Sequence, residues 1–380
     1  MQPIYLDNAA STRIADDVLA LVTEVYRTAW GNPSAQHPQG AAARVHIQAA
    51  RARVLAALGD RGATGATGDV TWTSGCSESN ALAVLGAARV RPGAIVISTF
   101  EHAAVSTLAD QLAADGRQVV RVAPGSDGVL DPERVADACK GAGVVSLVAV
   151  QNEIGVVQPV AALVAAVRSA APDAHVHIDA AQATGKIALD VAAGFDTLSI
   201  AGHKLHGPKG VGALWRGPRA ELRPLWLGGG QQGKLRGGTQ DAPATAGLGL
   251  AIERAVAALP SARARWLEFA QSALAVLDAR GAAVRQLVPD HRRAPHILAL
   301  AVRGVPASAL RNVLASRGVY ISTGSACADA DTKKSDVLEA IGLAPDDGMV
   351  RLSFGLDTTA DEVARAAAIL ADAIGSLAKK

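Results

Sequence analysis

The residues of this chain that could do chemistry fall in four short segments. The first, Thr71-Trp72-Thr73-Ser74-Gly75-Cys76-Ser77-Glu78-Ser79-Asn80, reads as a strand that turns through Gly75 into a helix. Backbone N–H groups at a helix start, helped by the Ser77 hydroxyl, attract an anion; an ordinary strand–helix turn with a serine cap has the same pattern. The second, His175-Val176-His177-Ile178-Asp179-Ala180-Ala181-Gln182, reads as a period-2 strand ending in an aspartate. That end is where open α/β sheets bind ligands. His-x-His-x-Asp also has the spacing of three metal ligands on one strand face, but the two histidines read better as polar residues of a strand with one tolerant face. The third, Ser199 to Gly210, places Lys204 just past an apolar strand among glycines and a proline. A lysine held in an apolar site loses affinity for its proton and becomes a nucleophilic amine able to form a Schiff base. Lys209, beside Gly210, reads as structural. The fourth, Gly318 to Asp331, carries Cys327 among Gly, Ser, Ala and Asp neighbours that cannot bury its thiol. Cys139, on an amphipathic helix, reads as packing.

These segments need a scaffold, and the composition supplies one. With 380 residues, 49% of them hydrophobic and 19% charged, the chain has material for a large core and roughly two domains. Aromatic residues are only 3%, so that core is built from Ala, Val, Leu and Gly. Lys and Arg number 37 against 35 Asp and Glu, a net charge of +2, which argues against a nucleic-acid or anionic-membrane surface. Three scattered cysteines form no disulfide framework and fit a reducing cytosol. Residues 1–7 have neither a basic start nor an apolar run, and no stretch reaches about 18 uncharged apolar residues. The expectation is a soluble, cytoplasmic chain without signal peptide or membrane span.

Short apolar runs at 70–73, 94–99, 119–122, 144–150, 176–178, 197–200 and 212–215 predict strands, with helices between several of them at 79–88, 105–114, 132–140 and 160–170. Buried strands with helical crossovers predict an α/β fold with a mainly parallel sheet. After 215 come a glycine-rich loop, two long helices at 245–259 and 262–280, strands at 296–302 and 319–322, and helices at 307–316 and from about 360. The expected division is a large α/β/α domain over 15–255 and a smaller α+β domain over 1–14 and 256–380.

The order of the motifs adds what no single one provides. Tyr5-Leu6-Asp7-Asn8-Ala9-Ala10, Gly31-Asn32-Pro33-Ser34, Thr73 to Asn80, Glu101-His102 and Asn152-Glu153-Ile154-Gly155 come first. Asp179 with Gln182, His203-Lys204, Gly207-Pro208-Lys209-Gly210, Arg236-Gly237-Gly238-Thr239, Gly324-Ser325-Ala326-Cys327 and Val350 to Gly355 follow. In this order and over almost its full length, the chain resembles cysteine desulfurases of the NifS/IscS type. These are class V members of the fold-type-I (aspartate aminotransferase-like) enzymes of pyridoxal 5′-phosphate. Nine residues separate Cys327 from Val337, similar to the long cysteine loop of the NifS/IscS branch. Within that family the chain most resembles the desulfurases of bacterial DNA phosphorothioation systems.

The resemblance implies roles. Lys204 holds the cofactor as a Schiff base and later removes the substrate's Cα proton. Asp179 pairs with the pyridinium nitrogen, His102 stacks on the ring and shuttles protons, and Asn152 bonds the ring's 3′-oxygen. Gly75, Cys76 and Ser77 cradle the phosphate, with Gln182, His203 and the partner subunit's Thr239 nearby. Arg351 clamps the carboxylate of L-cysteine, with Asn32 in the same region. Cys327 takes the sulfur as a persulfide and L-alanine leaves; the group that deprotonates Cys327 stays open between His102 and the cofactor–substrate adduct. A homodimer and a sulfur-acceptor protein are implied, and the near-neutral charge favours delivery to a protein over direct contact with DNA; no metal is implied. The sulfur's destination is DNA phosphorothioation or, alternatively, iron–sulfur cluster assembly.

Three positions depart from the family pattern: Ala201 for a phosphate-binding serine, Cys76 for a small residue and Gln151 for asparagine. The lost Ala201 hydroxyl is worth about 1.5–3 kcal/mol. The rival readings are another class V enzyme (an aminotransferase or selenocysteine lyase), a zinc hydrolase built on His175, His177, Asp179, His203 and His206, and a non-catalytic scaffold.

Overall fold

The computed structural model describes residues 3–60, 67–324, 335–344 and 346–378. The chain opens with β1 (Ile4–Tyr5), α1 (Asp16–Thr28) and α2 (Pro38–Ala57). It then alternates β2 (Asp69–Thr73), α3 (Cys76–Ala88), β3 (Ala94–Ser98), α4 (Ala103–Ala114), β4 (Val119–Val122), α5 (Pro132–Ala138), β5 (Ala142–Val148), α6 (Val160–Ala170) and β6 (His175–Asp179). β7 (Thr197–Ala201) and β8 (Gly212–Arg216) complete this series. There follow α7 (Ala242–Ala279), β9 (Val284–Gln286), β10 (Ile297–Val302), α8 (Ala307–Ser316), β11 (Val319–Tyr320), α9 (Asp336–Ala340), β12 (Gly348–Ser353) and α10 (Ala360–Leu377).

The main sheet has the order β2-β8-β7-β6-β5-β3-β4. Only β8 runs against the others, being antiparallel to both β2 and β7. β3, β6 and β7 are buried at every position, as strands must be when helices cover both faces. Because six strands point the same way, their carboxyl ends share one edge. Asp179 ends a strand on that edge, and Gly75, His102, Asn152 and Lys204 follow strand ends there. At the sheet's margin, the side-chain amide of Gln232 donates to Trp72 O at 2.9 Å and accepts from Trp72 N at 2.6 Å. It thereby pairs with β2 as a neighbouring strand would.

A second, antiparallel sheet has the order β12-β10-β9, and β1 pairs with β11 in parallel. One apolar cluster joins the main sheet to α1, α2 and the first half of α7. A second gathers Ile4, Leu6, the second half of α7, β10, β12 and α10. A third, around Phe100, Ile154 and Met349, joins residues 100–156 to residues 288–349.

The expected pair of helices at 245–259 and 262–280 is instead one, α7, which runs through Pro260. A proline inside a helix costs about 3 kcal/mol in lost backbone bonding and steric conflict. Here both halves are anchored: Leu248 and Ile252 in the first cluster, Trp266 and Leu277 in the second. That burial outweighs the proline. The helix is long and apolar enough by composition to cross a membrane, but its apolar residues are the ones the two clusters consume. β12 was not evident as a strand, and it carries Arg351.

Candidate active site

Lys204 ends a single 3₁₀ turn, Gly202–Lys204, that follows β7 directly. Its amine donates to the backbone carbonyls of Ala9 and, at 2.9 Å, of Ala10. Burial first and the Arg351 guanidinium second pull its pKa from 10.5 down to about 8, against the opposing pull of Cys76, Asp7 and Asp179. A nucleophilic amine needs this environment.

Asp179 ends β6 and is buried. One carboxylate oxygen accepts from Asn80 Nδ2 at 2.7 Å. The other accepts from Ala181 N at 3.0 Å and lies 3.6 Å from Cys76 Sγ. The two histidines preceding it on the same strand face are not on a tolerant surface: both are 0% exposed. His175 Nε2 and His177 Nδ1 each lie 2.9 Å from Thr197 Oγ1, and His177 Nε2 lies 3.0 Å from Asn80 Oδ1. Burial pulls both imidazoles to about 3, so they are neutral. A buried histidine is tolerated when its ring nitrogens find partners; Thr197 on the next strand and Asn80 on α3 provide them for three of the four, leaving His175 Nδ1 without one. Among the described residues no three His, Cys, Asp or Glu side chains group as a metal site.

Gly75 begins α3 and supplies no side-chain cap. A Cβ built on it would meet nothing within 4 Å, so open space lies in front of the helix's free N–H groups. Ser77 is exposed beside it. Cys76 turns inward, its thiol donating to Ser199 Oγ at 3.1 Å. Burial and the Asp179 charge push that thiol well above its ordinary pKa, so it is not a thiolate. His102 caps α4, its Nδ1 accepting from Ala104 N at 3.0 Å. Nδ1 is therefore bare and Nε2 carries the hydrogen, and burial lowers the ring's pKa. His203 falls to about 4 through burial and the charges of Lys204, Lys186 and Lys209. Ala201 is buried and offers no hydroxyl.

Arg351 is 2% exposed. Its Nη2 pairs with Asp7 at 2.6 Å, its Nη1 donates to Asn152 O at 2.7 Å, and its buried Nε has no partner. The Gln182 side chain is occupied, donating to Ala9 O at 2.7 Å and accepting from the buried Lys186 at 3.0 Å. It thus shares a carbonyl with Lys204. Asn32 is exposed in the turn before α2, with its oxygen spent on Ser34 N at 2.9 Å. Thr239 is likewise exposed. Cys327 lies outside the described residues. Asn80 and the Ala9 and Ala10 carbonyls were missed by residue-type reasoning. Asn80 did leave a signal, an asparagine inside an Ala- and Leu-rich helix, where its side chain has no intrinsic reason to be.

An amine with a depressed pKa, a buried carboxylate and an open helix N-terminus form a donor set that fits an aldehyde, a ring nitrogen and a phosphate respectively. The comparisons agree. The family described as aminotransferase class-V matches residues 4–366. A cysteine desulfurase of Rhodobacter capsulatus is 36% identical over 387 aligned positions, covering 98% of this chain and 97% of that protein. Among solved structures, a NifS-like protein superposes with a TM-score of 0.90 at 30% identity, covering 99% of this chain and 100% of the other. DndA from Streptomyces lividans does so with a TM-score of 0.75 at 32% identity, covering 92% and 99%. The chain belongs to the class V aminotransferase family and is an enzyme of pyridoxal 5′-phosphate.

Proposed function

We propose that this enzyme is a cysteine desulfurase that takes sulfur from L-cysteine, releases L-alanine and holds the sulfur as a persulfide on Cys327. It then passes the sulfur to an acceptor protein in the cytoplasm for DNA phosphorothioate modification. The observation that carries the chemistry is the Lys204 amine, held at a pKa of about 8 beside Asp179. Support for the destination is the likeness to DndA.

Pyridoxal 5′-phosphate, when bound, supplies an electron sink that weakens bonds around the substrate's α-carbon. Lys204 would anchor it, Asp179 would hold its ring nitrogen, Asn152 would bond its ring oxygen, and Gly75, Cys76 and Ser77, with Gln182 and His203, would hold its phosphate. The neutral Lys204 amine has the Ala9 and Ala10 carbonyls to hold its two hydrogens. Its lone pair then remains free to take the Cα proton. Arg351, already oriented by Asp7 and Asn152, brings a delocalised cation to the substrate carboxylate. In the sulfur step the Cys327 thiolate attacks the substrate sulfur; the substrate's C–S bond breaks, a new S–S bond forms, and the released carbon skeleton is protonated to alanine. His102 is a poor acceptor for the thiol's proton, because its one bare nitrogen caps α4.

Tyr26, Trp30, Trp226 and Leu227 are exposed apolar side chains available to a second copy of the chain, and the resemblance would bring the exposed Thr239 to the partner's site. The test is direct. Purified enzyme given the cofactor and L-cysteine is expected to release alanine and gain one sulfur on Cys327, read by mass spectrometry. Cys327→Ser should keep the bound cofactor's visible absorbance and lose persulfide and turnover. Wild-type alanine release by Cys327→Ser would overturn the assignment in favour of another class V reaction. Deleting the gene should abolish DNA phosphorothioate while sparing iron–sulfur enzymes; the opposite pattern would send the sulfur to cluster assembly.

A further inference from the structure

Behind Asp179 lies a row of buried polar side chains: Asn80, His177, Thr197 and His175 are each no more than 1% exposed. The hydrogen bonds along it have only one consistent direction. Asn80 must turn its NH2 to the Asp179 carboxylate 2.7 Å away, since its oxygen there would face a second acceptor. Asn80 Oδ1 then needs a donor, and the neighbour at 3.0 Å is His177 Nε2, which must carry hydrogen. A neutral His177 therefore has a bare Nδ1, which accepts the single Thr197 hydroxyl proton at 2.9 Å. Thr197 Oγ1 in turn accepts from His175 Nε2, also at 2.9 Å. This leaves His175 Nδ1 as a bare nitrogen, and it is an atom with no partner. The reverse direction would bury an unpaired N–H at that atom and set two oxygens against each other at Asp179. Orphaned acceptors are tolerated better than orphaned donors.

We propose that Asn80 and His177 are positioning residues for the reaction. They act through Asp179 by a one-way chain of donors from His175 through Thr197, His177 and Asn80 to the carboxylate. The inference rests on the reading that Asp179 holds the cofactor's ring nitrogen. The chain fixes the Asn80 amide against flipping and so keeps one carboxylate oxygen engaged while the other is aimed.

Paired substitutions at His177 isolate the role. His177→Gln puts an amide nitrogen near the position of Nε2 and keeps the donor to Asn80; His177→Asn reaches only the position of Nδ1 and leaves Asn80 Oδ1 unpaired. Both remove the same ring, so both apoproteins should lose similar thermal stability. The expected result is that His177→Asn weakens pyridoxal 5′-phosphate binding by about tenfold, the scale of one charge-assisted hydrogen bond, and shifts the bound cofactor's visible absorption. His177→Gln should stay within about threefold with the wild-type spectrum. Equal behaviour of the two variants overturns the inference. Asn80→Ala, measured the same way, should match His177→Asn, and wild-type affinity in it also overturns the inference. Asp179→Asn is the control for the underlying reading: if it binds cofactor as wild type does, that reading fails and this inference with it. If Asp179→Asn weakens binding while the two His177 variants agree, only the inference fails.

Discussion

Replacing Arg351 with glutamine should slow capture of the cofactor at neutral pH, through its effect on Lys204. The amine attacks an aldehyde only when neutral. At a pKa of about 8, about one Lys204 in four is neutral at pH 7.5, against about one in a thousand for an ordinary lysine. Burial is the larger cause of that depression and the Arg351 charge the second. A like charge in a partly buried site is worth on the order of one pKa unit, so Arg351→Gln should raise the midpoint by about that much and cut the neutral fraction at pH 7.5 close to tenfold. Freeing Asp7 from its partner pushes Lys204 the same way. The assay is stopped-flow absorbance of apoenzyme mixed with cofactor between about pH 6.5 and 10.5, the span bracketing both midpoints. No substrate is present, so any contact of Arg351 with a carboxylate does not enter. Arg351→Lys keeps the charge and should keep the wild-type midpoint near 8. A glutamine variant whose midpoint stays at or below wild type would refute the reasoning, as would a lysine variant that moves equally far.

Gly75→Ala should leave the apoprotein's stability within about 0.5 kcal/mol of wild type, because its φ of 160° is extended backbone and its Cβ meets nothing within 4 Å. The methyl occupies the space before α3, so cofactor affinity, read by equilibrium titration, should fall. Unchanged affinity would place the phosphate elsewhere. Lys204 also sets a stability slope: its folded pKa of about 8 lies below the unfolded 10.5. Between these values the unfolded chain holds the extra proton, so apoprotein stability from this group is full above 10.5 and is lost as pH falls toward 8. The difference is about 3 kcal/mol at most. Lys204→Met, compared with wild type by denaturant unfolding at both ends of that window, should remove it.

What the sequence reveals here follows from which signals are local. β7, α8 and the start of α10 appear where apolar runs and turn residues place them. Lys204 and Asp179 attract attention because a parallel sheet delivers its strand ends to one edge, and strand ends are readable, whereas His102 enters only through the family resemblance. Pro260 misleads because a local rule against proline in helices is overruled by two cores far away in sequence. His175 and His177 mislead for a related reason: alternation suggests one open face, whereas their partners Thr197 and Asn80 lie 22 and 97 residues away respectively. The carbonyls that hold Lys204 lie 194 and 195 residues away and belong to alanines, so no residue type advertises them.

Those carbonyls explain why the first dozen residues matter to the site. The segment enters through β1, where Ile4 and Leu6 pack in the second apolar cluster. Ser353 on β12 then holds it: Asn8 Nδ2 donates to Ser353 O at 2.9 Å, and Ala9 N to Ser353 Oγ at 2.9 Å. Asp7 pairs with Arg351, two positions away on that strand. Past Ala10, Thr12 bonds back to His203 through both its N–H and its hydroxyl, at 2.8 and 2.9 Å. The segment is therefore tied to Arg351 at one end and to the turn that bears Lys204 at the other. Its two carbonyls sit between. A shift of β12 against the main sheet must move either the arginine's carboxylate partner or the lysine's acceptors, since the residues between the two anchors form a hydrogen-bonded turn, with Ala10 N and Ser11 N donating to Asp7 O at 3.0 and 3.3 Å. The placements of Arg351 and of the Lys204 amine are thereby coupled through backbone. A catalyst that depends on orientation to within about an ångström needs such coupling.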